Sequence, residues 1–287
     1  MKRKYSKRNV RSKRRRKMCE IDRRLSAVAD KLWNADANAL VMDKDFELNL
    51  QNRASYGDSI DRCSEPFFSY VDRSVFQRST YKTFVALLDN YESDVGVAET
   101  VTKQEYEENW RFLEAIAETD VMKICLEYYN ERKDENMSME KFLDMLYELW
   151  FKLYKRSRHT KGLDSSGFEH VFVGETRGNK DVIGFHNWIQ FYLQEKAGKV
   201  DYEGHYERRH DKDYLYTIKF AWKHETKPKG SVLIGCSPEF EIALYTLCTL
   251  FGEDDEINLE FGGMRCTAVC YEKSNTMIGT CFLKALH

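Results

Sequence analysis

Apolar side chains recur at helical spacing through the first half of the 287-residue chain. Ile21, Leu25, Val28 and Leu32 follow one another at steps of four, three and four, the stripe of an amphipathic helix. Tyr81, Phe84, Leu88 and Tyr91 repeat it, and Phe142, Leu146, Leu149 and Leu153 repeat it again. Thr102 and Glu105 form a capping-box pair that opens a helix carrying Trp110, Leu113 and Ile116. Each stripe reads as core. After about residue 160 the pattern changes. "HVFVGE" (170–175) and "YLYTIKFAW" (214–222) are rich in β-branched and aromatic residues and predict strands, whereas "HNWIQFYLQEK" (186–196) keeps helical spacing. "SVLIG" (231–235) predicts a short strand running into a helix with Ser237 as N-cap and Pro238 at its first position. "INLEFGGMRCTAVCY" (257–271) predicts a hairpin turning at Gly262–Gly263, and 276–286 a last strand. The class is α+β: a helical N-terminal lobe (21–158) packed on a mixed, largely antiparallel, β-rich C-terminal lobe (159–287).

Composition adds one asymmetry. Overall net charge is −2, yet residues 1–17 carry eleven of the 45 Lys and Arg and no acid. That leaves 34 basic against 47 acidic side chains in the rest, so a basic arm (1–20) precedes an acidic body. The arm is expected to be disordered and solvated, with nuclear localisation or a nucleic-acid tether as the sharper readings. It lacks the apolar segment of a secretory signal, so an intracellular site, cytoplasmic or nuclear, is expected. No apolar run approaches the roughly 20 residues that span a bilayer. The eight cysteines include no CxxC pair; buried free thiols are expected and a zinc site is not.

Candidate chemistry centres on two of the seven histidines. His170 lies within the strand-like "HVFVGE", and His186 follows Gly184 by two positions, in "IGFHNW". Either alone suits a structural role, in a backbone hydrogen bond or a helix cap. Together, imidazoles with ordinary pKa near 6.5 can supply a base and an acid to one transition state. "HETKPKGS" (224–231) adds Lys227 and Lys229 on what reads as a Gly/Pro-containing loop, where lysine is usually plain solvation. Beside two histidines it would place positive charge where a reacting phosphate gathers negative charge. The set suits RNA cleavage in which the ribose 2′-OH attacks phosphorus, a route closed to DNA. Spacing does not choose among the histidines; His205 and His210, in the charged "GHYERRHDKD", are expected to face water.

Several segments in order resemble the EndoU (XendoU-like) poly(U)-specific endoribonucleases: "SSGFEHVFVGE" (165–175), "GFHNWIQFYLQEK" (184–196) and "KPKGSVLIGCSPEFEIALYTLC" (227–248). "LWNADANAL", "FSYVDRSVF" and "LLDNYESDVG" extend the likeness upstream, so it covers roughly 22 to 287. The resemblance implies a uridylate-preferring enzyme that cuts single-stranded RNA, leaves 2′,3′-cyclic phosphate ends and is thus of lyase type. It implies that His170 and His186 are the catalytic histidines, and that Lys227, four positions before Ser231, is the catalytic lysine rather than Lys229. By the same likeness Ser231 reads the uracil edge, and Glu169 and Glu175 are acids required for activity. From the residues alone each Glu is equally open to orienting an imidazole, holding a metal, or facing water. Where relatives carry a tyrosine in the last strand, "IGTCF" puts Phe282, which keeps a ring for stacking on a pyrimidine but no hydroxyl. The family also implies a divalent cation, manganese or calcium, outside the chemical step, and a monomer. A catalytically inactive RNA-binding protein of the same fold is the rival reading.

Overall fold

The computed structural model describes residues 20–55, 57, 60–157, 160–178, 180–206, 214–274 and 276–285. Residues 1–19 of the basic arm, His159, His210 and His287 therefore lie outside the described residues. The first helix, α1 (Arg23–Ala35), starts where the Asp22 carboxylate accepts the N–H groups of Arg24 and Leu25. Ile21 precedes it and instead bridges to Asn258. Strands β1 (Phe46–Leu48) and β2 (Phe68–Val71) pair antiparallel, and a 3₁₀ turn (Arg73–Gln77) leads into α2 (Ser79–Val85). The predicted helix through Tyr91 stops at Val85: Asp89 and Asn90 favour a turn, and Tyr91 leaves the helical path to stack on Phe168.

The capping box is present, Thr102 and Glu105 each accepting the other's backbone N–H, and it opens α3 (Lys103–Ala117). Thr119 caps α4 (Asp120–Lys133) and Ser138 caps α5 (Met139–Trp150), which ends before Leu153. Beyond these helices come β3 (Glu175–Arg177), β4 (Asp181–Ile183), α6 (Trp188–Lys196), β5 (Val200–His205), β6 (Leu215–Trp222) and β7 (Glu225–Leu233). Then follow α7 (Pro238–Phe251), β8 (Glu256–Phe261), β9 (Met264–Ser274) and β10 (Met277–Ala285). Ser237 accepts the Phe240 N–H with Pro238 in the first turn of α7, and Gly262 and Gly263, both at positive φ, turn the β8–β9 hairpin.

The sheets are antiparallel, β5-β6-β7 and β10-β9-β8, with β10 packed against β6 and β7, so the class is α+β. One continuous apolar core joins both halves of the chain. Within it the Trp150 indole donates to the Thr246 hydroxyl (3.0 Å), tying α5 to α7. The described cysteines are free and buried. Among the described residues no helix is long and apolar enough to cross a membrane.

Candidate active site

The predicted strand at "HVFV" is instead a turn of π-helix, Glu169–Val173. Local β preference yields to tertiary packing here. Phe168 and Phe172, two positions either side of His170, both insert into an aromatic cluster with Phe84. Phe151 stacks on Phe168, and Trp150 meets Phe172. Ser166 and Glu169 hold the entry through reciprocal backbone-to-side-chain bonds of 3.1 and 3.2 Å. Gly174 closes it, donating to the Glu169 carbonyl five residues back, at φ +96°. Single π turns of this kind recur at functional sites because they re-aim one side chain.

The glycines beside the histidines have a purpose. Gly184 sits at φ +62°, and a Cβ there would lie 1.8 Å from the His170 carbonyl oxygen. That close approach lets Phe185 N–H donate to His170 O (3.0 Å) and His186 N–H to Val171 O (2.8 Å). The two segments that flank the β3–β4 hairpin are thereby clipped together at their histidines. Phe185, buried against Phe220 and Trp222, fixes the second segment as Phe168 and Phe172 fix the first. Asn187 then caps α6, its side chain accepting the Gln190 N–H.

Lys227 lies within β7, not on a loop: the strand begins at Glu225 and passes through Pro228, whose missing N–H the irregular β6–β7 register tolerates. The Lys227 ammonium donates to the Gly184 carbonyl, between the two histidines. Four residues on, the Ser231 carbonyl accepts the His186 Nδ1–H (3.0 Å). The Phe282 ring lies parallel to the His186 ring, 4.4 Å between centroids and 8° between planes. His170, His186, Lys227, Ser231 and Phe282 are thus brought together, with Glu169 and Glu175 behind His170. Lys229 is exposed and lies over the Tyr206 ring. His205, expected to face water, ends β5, where its ring donates to the Leu50 carbonyl.

Burial decides the charge states. It pushes His186 well below its ordinary pKa, with the Lys227 charge adding to the effect, so this imidazole is neutral at pH 7. Burial lowers His170 too, but its Nδ1 is hydrogen-bonded to the Glu175 carboxylate, which opposes the shift. Burial raises Glu175, and the His170 hydrogen bond and charge together with Arg156 more than offset it, so Glu175 stays ionised. Glu169, buried and next to that anion, is pushed up to about 10 and holds its proton. Desolvation alone brings Lys227 down to about 8.

The sequence model of the family described as endoribonuclease XendoU matches residues 24–283. The chain belongs to the XendoU family. Uridylate-specific endoribonuclease B of Danio rerio is 43% identical over 274 residues, which cover 92% of this chain and 97% of that one. The poly(U)-specific endoribonuclease of Xenopus tropicalis is 44% identical over 246 residues, 82% and 83% of the two chains. A solved XendoU structure, described as a splicing independent snoRNA processing endoribonuclease, superposes with a TM-score of 0.82 at 39% identity. It covers 93% of this chain and 99% of its own.

Two features of this XendoU member escaped the sequence reading. Arg156, in the charged run "YKRSRH", is drawn inward, and its Nε lies 3.1 Å from Glu175 Oε2. Glu241, buried on α7, accepts from the Asn187 amide (2.6 Å) directly beside His186. Neither carries a local sequence signal, because surface and buried charges look alike in one dimension. The donor set for a divalent cation is thin. Glu169 and Glu175 each leave one buried oxygen without a partner. A hard cation needs six or more oxygen ligands. Among the described residues no group of three or more His, Cys, Asp or Glu side chains is placed to hold an ion. These residues do not make a protein cage for one.

Proposed function

We propose that this chain is an endoribonuclease that cuts single-stranded RNA at uridines by 2′-OH transesterification, leaving 2′,3′-cyclic phosphate ends. The observation that carries the reading is the convergence of His170, His186 and Lys227 on the Gly184 backbone. His186 gives its Nδ1–H to Ser231, so Nε2 is the basic nitrogen, and burial keeps it unprotonated: it takes the proton of the 2′-OH. That oxygen attacks phosphorus. His170 enters the step as the imidazolium, its Nδ1–H held by ionised Glu175; it gives its Nε2 proton to the departing 5′-oxygen and becomes neutral. Lys227 stabilises the charge that builds on the non-bridging oxygens.

The Ser231 hydroxyl reads the uracil edge, and the half-exposed Phe282 ring, one face on His186, offers its other face to the pyrimidine. The enzyme works as a monomer, and a divalent cation, manganese or calcium, acts with the RNA phosphates rather than in the chemical step.

The deciding experiment incubates a labelled uridine-containing oligonucleotide with the protein and identifies product ends by mass, with and without manganese, calcium and chelator. His170→Ala and His186→Ala should each remove about 10²–10⁴-fold of the rate. A 2′-deoxy substitution at the scissile uridine should abolish product. Cleavage that survives either histidine change, or the deoxy substrate, overturns the scheme. RNA that is bound but never cut would instead establish the inactive RNA-binding alternative.

A further inference from the structure

We infer that Arg156 is a positioning residue for the reaction: through Glu175 it fixes the His170 ring, and the same guanidinium ties that ring to the strand carrying Phe282. The inference rests on the reading that His170 acts on the leaving oxygen. Glu175 offers one oxygen, Oε2, to both His170 Nδ1 and Arg156 Nε, while its Oε1 has no partner. The carboxylate's orientation is therefore set by those two groups together with the Ser165 hydroxyl. Arg156 is itself held at Nε, at Nη2 and at its backbone N–H. Its Nε–H is shared with the Ser165 hydroxyl (2.8 Å), and its Nη2 donates to the Gly279 carbonyl (2.8 Å) and to the Tyr154 hydroxyl. Its backbone N–H donates to Asp164 Oδ1 (2.6 Å).

Gly279 lies three residues before Phe282 on β10, and Phe282 stacks on His186. One planar fork thus links the supports of both histidines, a geometry that a lysine's single ammonium cannot reproduce. The side chain is only 14% exposed and points at protein, so it does not hold RNA directly.

The charges that face His170 are Glu175 from its own segment, Arg156, and Lys227 from β7; the titratable groups beside them, Glu169 and His186, are both neutral. Glu99, itself pushed up to about 7 by burial, faces both glutamates. Arg156 is the cation that shares the carboxylate oxygen with the His170 ring. Removing it leaves Glu175 to His170 alone, so the imidazole should hold its proton more firmly.

The test compares Arg156→Gln and Arg156→Lys with the parent by kcat and KM on the uridine oligonucleotide, by thermal melting, and by NMR titration of the His170 ring. Arg156→Gln should lower kcat about 10- to 100-fold through misplacement, leave KM within twofold, and move the His170 titration to higher pH. Arg156→Lys keeps the charge and should leave the titration near the parent's while kcat still falls. A folded Arg156→Gln protein with parental kcat or an unmoved His170 titration overturns the inference. Should the glutamine variant fail to fold, parental kcat in Arg156→Lys does so equally. Cleavage persisting in His170→Ala would instead remove the underlying catalytic reading, whatever the titrations give.

Discussion

Gly184→Ala tests the clip between the two histidines. The added Cβ would meet the His170 carbonyl oxygen at 1.8 Å and its carbon at 2.7 Å, both backbone atoms that cannot rotate aside. Reaching even 3.0 Å, the closest approach real Cβ atoms make, needs 3.0 − 1.8 = 1.2 Å of separation between the segments. That displacement breaks the Phe185 N–H to His170 O bond, a loss of about 1 kcal/mol. Holding an alanine at φ +62° costs another ~1–2 kcal/mol. The larger effect is on chemistry, because misplacing a catalytic group by about 1 Å lowers the rate about 100-fold. Single-turnover cleavage with enzyme in excess measures that loss without interference from product release. Gly178→Ala is the control: its φ is +58°, but nothing lies within 4 Å of its Cβ position, so it should lose stability and keep activity. A Gly184→Ala protein that melts with the parent and cleaves within threefold of it would refute the clip.

Lys227 is a cation only below about 8, so kcat/KM of the free enzyme should fall as pH rises through that value. In Lys227→Arg, whose guanidinium keeps its charge, any activity retained should lack that alkaline limb. Phe282→Ala would let water reach the His186 ring and raise its pKa toward 6.5; cleavage near pH 6 should then fall more than cleavage near pH 8. Equal losses at both pH values would mean that the stacking does not tune the base. Glu241, buried on α7, is pushed up to about 8 by desolvation. Its folded pKa exceeds the unfolded value, so its favourable contribution is complete below about pH 4.3 and is lost as pH rises toward 8. Glu241→Gln should therefore melt higher than the parent at pH 8.5 but not at pH 4, as calorimetry can check. Removing residues 1–17 deletes eleven positive charges and should weaken RNA binding at low salt and flatten its salt dependence.

The sequence made the helices legible wherever an apolar stripe came with a cap, as at Thr102–Glu105 and Ser237–Pro238, since both signals are local. The β8–β9 hairpin was legible for the same reason: Gly262–Gly263 specifies its own turn. The His170 segment misled because Val171, Phe172 and Val173 favour a strand, while the aromatic cluster that bends them comes largely from residues about twenty to ninety positions upstream. Lys227 looked like a loop residue because Pro228 and Gly230 flag a turn, yet an irregular edge pairing accommodates both. Histidines and lysine were identifiable as candidates from their chemistry and, more sharply, from the family likeness. What holds them was not. Arg156 and Glu241 act through contacts across the fold, and one dimension does not distinguish an arginine that reaches solvent from one that reaches Glu175.

Strand β10 serves both histidines at once, because it supplies both the Gly279 carbonyl that receives Arg156 and the ring that covers His186. Unless residues 277–285 pair with β9, one imidazole lacks its lid and the other's support lacks its far tether. Loosening this one strand would therefore disturb both rings in concert.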